Sequence, residues 1–465
     1  MTQELCFLSL REAGERLRER KLSPVELTEA FLGRIERLNP VLHAYVTVCA
    51  ERAREDALRA EDEIAAGDYR GPLHGIPIAL KDVIATKGIR TTACSRRLLD
   101  FVPDADATVV RRLTDAGAVL LGKLTTFEFA TGGPSTDLPF PLARNPWHLD
   151  AYTGGSSTGS GVAVAAGLSM AALGTDAGGS VRLPASHCSA VGLKPSYGRV
   201  SKAGIFPLTQ HLDHVGTLTW SAEDAALMLS VLAGQDCADP TTAGEPVPNY
   251  ALPLKQAGDL KGLRVGVIDA WYERDAEANP EVRRSMKDAV DVLKSLGAKV
   301  EPIELSPLDD YQSCLLVMIL SEAYANFESD LRKTPEIFGQ VFRDRIMMGA
   351  FLRASDYALA LRLRQRLIVE MTTAFVRCDI MMTAGMLTPL WFADIKRHSM
   401  YRGRYLTAAW NITGHPAIAV RAGFSSAGLP IGLQMAGRQF DEATLLRAAH
   451  RYEQASGWLD RRPPI

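Results

Sequence analysis

The chain lacks the features that mark several protein classes. Its seven cysteines are dispersed at 6, 49, 94, 188, 237, 314 and 378, with no Cys-x-x-Cys pair. An odd, scattered set in a chain of 465 residues excludes a disulfide framework and reads as reduced thiols. The nine histidines form no His-Glu-x-x-His pattern and no clustered ligand spacing, so neither a metal nor another cofactor is expected. Charge is nearly balanced at −2, without the excess that would draw a nucleic acid or other polyanion. No uncharged apolar run reaches the length of about 20 residues that a membrane span needs. The opening MTQELCFLSLREAGERLRER places acidic and basic residues where a signal peptide would need an apolar core. These absences predict a cytoplasmic protein without nucleic-acid or membrane partners.

Hydrophobic residues make up 47% of the chain, which is enough for a large packed core. Residues 9–66 read as three helices. In the second, Ser23-Pro24 forms an N-cap with proline at the first helical position, Glu26 completes a capping box, and Asn39-Pro40 marks the stop. From Leu73 onward, apolar strand-like runs alternate with helical periods: a strand over 75–82, a helix over 106–116 and a strand over 118–121. Residues 125–145 read as an extended loop. Further strands fall at 190–194, 263–268, 299–305, 379–383, 418–420 and 433–435, and a mostly helical stretch covers 308–377. The alternation predicts an α/β fold with a large mixed central sheet flanked by helices, N-terminal helices and a helical insertion. One domain over 1–465 is expected, with an N-terminal helical segment (1–70), a central region (71–235) and a helical flanking subdomain (308–377).

The most informative stretch is GGSSTGSGVAVAAGLSMAALGTDAGGS, residues 154–180. Two glycine-rich serine loops bracket an apolar run that reads as a short helix stopping at Gly167 and a buried strand over 169–174. A helix of about ten residues climbs roughly 15 Å, and about six strand residues return roughly 20 Å. Ser156 and Ser180 should therefore meet at one end of the unit. Consecutive amides from Ala177, Gly178, Gly179 and Ser180 suit an oxyanion or a bound anion, and the same pattern also fits a tight turn. Two look-alikes fail on context. Gly155-x-Ser157-x-Gly159 matches a nucleophile elbow but follows a loop instead of a strand. Gly117 to Lys123 nearly matches a phosphate-binding loop, but its intervening residues are strand-like and Leu124 stands where Ser or Thr should be.

Four segments together resemble the amidase signature family: LHGIPIALKD (73–82), GGSSTGSG (154–161), GTDAGGSVRLPAS (174–186) and VGLKPSYGRVS (191–201). The N-terminal helices and GLPIGLQMAGRQFDEATLLRAAHRYEQ also look like the family, so the similarity runs nearly the whole length. The resemblance implies a Ser–cisSer–Lys triad, with Ser180 as nucleophile, Ser156 as bridging serine behind a cis peptide and Lys81 as base. It also implies an oxyanion hole at Ala177, Gly178 and Gly179. The chemistry is coherent, because a serine hydroxyl needs a base and a lysine serves only when burial has made it neutral. Asp176 and Arg182 are expected to form a structural pair, and Cys188 to pack.

The chain departs from the family in two places. Val83 replaces the asparagine often found after LKD. In Met400-Tyr401-Arg402-Gly403-Arg404, Arg404 stands where glutamine-hydrolysing members carry an aspartate that holds the substrate ammonium. A cation there would repel that group. The leading expectation is therefore a free-standing hydrolase of a small-molecule amide, such as an aryl amide, anilide or urea-type compound. The alternatives are the glutaminase-type A subunit of a multi-protein amidotransferase and a catalytically silent scaffold. Gly132 and Arg404 are candidate substrate contacts, and Phe127, Phe129, Trp391, Phe392 and Trp410 are candidate pocket aromatics. A homodimer is one assembly open to such a hydrolase. If the chemistry is carried by serine and lysine alone, amide turnover should be unchanged after exhaustive EDTA treatment. Loss on chelation, restored by one specific metal, would contradict this.

Overall fold

In the computed structural model, residues 2–255, 258–395 and 405–465 are described. Eleven strands among them form one sheet: β1 (Tyr45–Val48), β2 (Pro77–Lys81), β3 (Val119–Leu124), β4 (Ala171–Asp176), β5 (Val191–Lys194), β6 (His214–Thr219), β7 (Arg264–Val267), β8 (Lys299–Pro302), β9 (Ile380–Ala384), β10 (Ala417–Phe424) and β11 (Pro430–Gly437). Their spatial order is β1-β3-β2-β4-β6-β5-β10-β11-β9-β7-β8. β2 runs parallel to both β3 and β4, and β7 runs parallel to β8 and β9. The remaining neighbours are antiparallel, so the sheet is mixed, as expected. No helix of the described residues is long and apolar enough to cross a membrane.

The helices follow the sequence signals closely. Ser23 caps Pro24–Leu42 by accepting from the Val25 and Glu26 amides. Pro40 does not stop this helix, which continues to a left-handed cap at His43. Proline is tolerated so near the end because only one helical hydrogen bond is lost there. Between the second and third expected helices lies β1, an edge strand of four residues. The helix after Ser157 covers Thr158–Ala165, starting earlier than expected, with Gly167 just past its end at φ +66°. The helical stretch resolves into Leu308–Lys333, Gln340–Met347 and Ala354–Ala374.

The middle of the sheet is buried on both faces, and β2, β3, β4 and β6 contain no exposed residue. Strands covered on both sides read as continuous apolar runs. The polar residues inside this region are therefore the exceptions. A knot of them centres on Arg182, which is fully buried. Its guanidinium donates to both Asp176 oxygens at 3.0 and 3.1 Å, to the Thr407 carbonyl and Gln434 Oε1 at 3.0 Å each, and to Asn411 Oδ1 at 2.6 Å. One side chain thus ties the loop after β4 to the helix Ala408–Ile412 and to β11. Asp176 and Arg182 form the expected hydrogen-bonded pair. Removing one partner of such a pair strands a buried charge, so Arg182→Met should lower unfolding stability by about 3–5 kcal/mol. Chemical denaturation measures this, and a loss below about 1 kcal/mol would show that the network carries little.

Candidate active site

β2 and β4 lie side by side and parallel, with Leu80 opposite Leu173. Their carboxyl ends therefore open at one edge, where ligands sit in open α/β sheets. Lys81 is the last residue of β2, and Thr175 is next to last in β4. The Lys81 amine lies 2.8 Å from Ser156 Oγ and 2.9 Å from Thr175 Oγ1, and Lys81 is fully buried. The peptide bond between Gly155 and Ser156 is cis. Ser156 is further held by its carbonyl, which accepts from the Phe127 amide at 3.2 Å and from Thr126 Oγ1 at 3.1 Å. A Cβ at Gly155 would come within 2.1 Å of the Phe127 ring, so only glycine fits against that wall. The Ser157 amide donates to the Ser180 carbonyl at 3.1 Å, joining the two serine loops directly. Ser156 and Ser180 line the same pocket, as the geometry of the helix and strand predicts.

Burial pushes the Lys81 amine from its ordinary value to about 7, against the opposing pull of Asp176, Asp213 and Cys94. An unperturbed lysine at pH 7 is neutral in roughly one molecule in 2,500; at this value about half are neutral. Two other lysines are also fully buried among the described residues and burial lowers their amines too, but neither is hydrogen-bonded to a serine of the pocket. Lys194 donates to the carbonyls of Pro195 at 3.0 Å and His415 at 2.7 Å. Lys123 donates to the Ile84 carbonyl, to Thr91 Oγ1 at 2.8 Å and to Thr86 Oγ1 at 3.3 Å, and lies 3.8 Å from the Asp82 carboxylate. Each of these two lysines has at least one carbonyl partner, which can only accept and so favours an ammonium. The partners of Lys81 are hydroxyls, which can instead donate to a neutral amine. No sequence pattern marks Thr175, which supplies one of them, since it sits among the glycines of the loop.

The amides of Ala177 and Gly178 belong to residues that line the pocket. Gly179 departs from expectation. Its N–H donates to Asp176 Oδ1 at 2.7 Å, so this amide is already committed to the carboxylate and not to an oxyanion. Asp176 is fully buried, which alone would raise its pKa, yet Arg182, Lys194 and Asn411 together hold it well below the ordinary value. The look-alike motifs resolve as structure: Ser157 Oγ bonds the Thr175 carbonyl at 3.3 Å, and Lys123 is the buried lysine described above. Cys188 is packed in the core.

The pocket is walled by Phe127, Gly132, Tyr405 and Arg345 among others. Gly132 therefore lies at the pocket wall, whereas Arg404 falls outside the described residues. Of the candidate aromatics, Phe127 lines the pocket, Phe129 and Trp410 are core residues, and Trp391 and Phe392 pack on His148 and Tyr152. Arg345, on the helix Gln340–Met347, escapes sequence reasoning because its approach to Ser180 spans more than 160 positions of sequence.

Comparison with known proteins agrees with this geometry. The sequence matches the amidase family model over residues 26–446. The A subunit of the glutamyl-tRNA(Gln) amidotransferase of Geobacter metallireducens is 42% identical, with 99% of this chain and 100% of that protein covered. Among solved structures, the corresponding polypeptide of Thermotoga maritima superposes with a TM-score of 0.82 at 31% identity, over 98% of this chain and 96% of that one. The peptide amidase of Stenotrophomonas maltophilia superposes with a TM-score of 0.84 at 30% identity, over 99% and 98%. These relatives overturn one expectation. Full-length likeness to one polypeptide of a multi-protein enzyme named for a tRNA contradicts a chain that meets only a small-molecule amide, alone or as a homodimer, with no nucleic acid in its assembly. Balanced charge is a poor guide here, because a partner polypeptide can carry the nucleic-acid contacts.

A buried amine whose pKa lies near neutrality predicts a pH-dependent activity. If Lys81 is the base, amide turnover should rise with pH to a plateau, with a midpoint near the value of about 7 set by burial. Lys81→Ala should lower turnover by roughly 10²–10⁴-fold, and Lys81→Arg should not rescue, because a guanidinium stays protonated. An unchanged basic limb in Lys81→Ala, measured over a full pH–rate profile, would exclude Lys81 as the base.

Proposed function

The chain belongs to the amidase family, and from that premise we propose that it hydrolyses a carbon–nitrogen amide bond through an acyl-enzyme on Ser180, as the glutaminase-type A subunit of an amidotransferase. The observation that carries the chemistry is the fully buried Lys81 amine at 2.8 Å from Ser156 Oγ, in the pocket that Ser180 also lines. Neutral Lys81 takes the proton of Ser156, and Ser156 takes that of Ser180 as Ser180 Oγ attacks the amide carbon. The amides of Ala177 and Gly178 face the developing oxyanion. The proton then returns through Ser156 to the leaving nitrogen, the C–N bond breaks and ammonia departs. Water, activated by the same relay, cleaves the Ser180 ester and releases the acid.

Two observations support glutamine as the amide. The first is likeness to the amidotransferase relatives along essentially the whole chain. The second is Arg345 in the pocket wall, a planar cation suited to a substrate carboxylate. Arg404 is the one residue that speaks for an acyl group without an ammonium.

The decisive experiment compares the purified chain with the same chain reconstituted with its amidotransferase partner proteins, on glutamine. Release of ammonia should increase on reconstitution, and Ser180→Ala should abolish it in both preparations without loss of fold, since a pocket-loop serine makes little contribution to stability. Turnover of glutamine that partners do not change would remove the amidotransferase assignment. Activity retained by folded Ser180→Ala would remove the acyl-enzyme.

A further inference from the structure

Glu128 is a buried carboxylate that the acyl-transfer steps do not use. Only 3% of its surface is exposed, and burial raises its pKa to about 7. Both oxygens are engaged: Oε1 accepts from Ser95 Oγ at 2.5 Å and Oε2 from the Gly339 amide at 2.9 Å. Gly339 is the N-cap of the helix Gln340–Met347. The next amide, of Gln340, donates to Asp137 Oδ2 at 2.8 Å. Two carboxylates from one loop thus cap the start of this helix, where the exposed amides and the helix dipole favour negative charge. The other charged or titratable groups near Glu128 are Asp137, Arg96 and Cys94.

Independent contacts show that the loop and the helix are built as one piece. Phe129 adopts φ +44°, ψ +37°, and its ring packs on Phe327, Phe338 and Phe342 at centroid distances of 4.7, 6.1 and 5.6 Å. A non-glycine residue in that conformation persists only where its surroundings over-determine it. A Cβ on Gly132 would lie 3.3 Å from Val341 Cγ1, so the loop also rests on the helix there. The same loop includes Phe127, whose amide donates to the Ser156 carbonyl. The helix in turn carries Arg345 to the pocket.

We propose that Glu128 is a positioning residue that fixes the helix Gln340–Met347, and with it Arg345, at the pocket wall, and so sets the preference of the enzyme for amides bearing a carboxylate. This rests on the reading of the pocket as the site of amide hydrolysis. The residue touches neither substrate nor reacting atoms. Its removal should therefore alter substrate choice through KM and leave the bond-breaking steps in place.

The test uses two amides that differ in one group, glutaramate and pentanamide, in which a methyl replaces the carboxylate. Glu128→Ala should raise KM for glutaramate by roughly tenfold, the loss expected of one charged hydrogen bond, with kcat changed less than about threefold and pentanamide kinetics unaltered. Glu128→Gln, which keeps an acceptor for Gly339 and a donor toward Ser95, should recover most of the preference. It also serves where the alanine variant does not fold. In an Arg345→Met background, Glu128→Ala should add no further loss of preference. An unchanged ratio between the two substrates, an equal fall of kcat on both, or additivity with Arg345→Met would overturn the proposal. Ser180→Ala on the same pair reads the hydrolytic mechanism separately: residual turnover there removes the mechanism, whereas the ratio reports on Glu128.

Discussion

Everything at this site depends on keeping one amine out of water while surrounding it with groups that do not demand its charge. Lys81 stands at the end of an apolar strand in a sheet covered on both faces, and its two partners are hydroxyls. Desolvation disfavours the ammonium. A carboxylate in direct contact would restore it, and the fold keeps the nearest ones occupied elsewhere. Asp82, adjacent in sequence, points to the opposite side of the strand by the alternation of β structure. There its carboxylate accepts from the Thr92 amide and lies 3.8 Å from Lys123.

Asp176 is the strongest opposing charge on Lys81, and its treatment explains the Arg182 knot. The carboxylate is bound by the Arg182 guanidinium on both oxygens, by Asn411 at 3.0 Å, and by the amides of Gly179 and Val181 at 2.7 and 3.1 Å. Its negative charge is therefore neutralised locally instead of being offered to Lys81. The same bonds shape the turn that presents Ser180. In the proposed mechanism one polar network thus has two effects: it orders the loop that carries Ser180, and it keeps an opposing charge away from Lys81. That ties the C-terminal segment, through Asn411, Thr407 and Gln434, to the edge of the sheet where β2 and β4 end.

Much of this is legible in the sequence. Strands such as β2 and β4 are buried on both faces, so their apolar runs are unambiguous, and the paired serine loops with Lys81 point to one site. β6 is not legible, because His214 to Thr219 (HVGTLT) sets the single apolar residues Val215 and Leu218 among polar residues and a glycine, with neither an apolar run nor strict alternation; its pairing with β4 and β5 is what marks it as a strand. β1 is hidden between two strong helical patterns for a similar reason. The Gly179 amide looks available to an oxyanion because glycine loops signal free N–H groups, and no local pattern shows that a carboxylate three residues earlier has claimed it. Arg345 and Glu128 are set by contacts across more than 160 positions, which no spacing rule captures. Likeness to a subunit of a larger enzyme is equally invisible to residue patterns, since it shows only in whole-chain comparison.

The central claim, that burial makes Lys81 neutral near pH 7, can be read without turnover. Ser180→Ala protein labelled with ¹⁵N at lysine Nζ, compared with the same protein carrying Lys81→Met, isolates the Lys81 signal by difference. Its titration by NMR should show a midpoint near the value of about 7 set by burial. A Lys81 resonance that remains that of an ammonium up to the ordinary lysine range, near about 10.4, would contradict the account and require another group to activate Ser180.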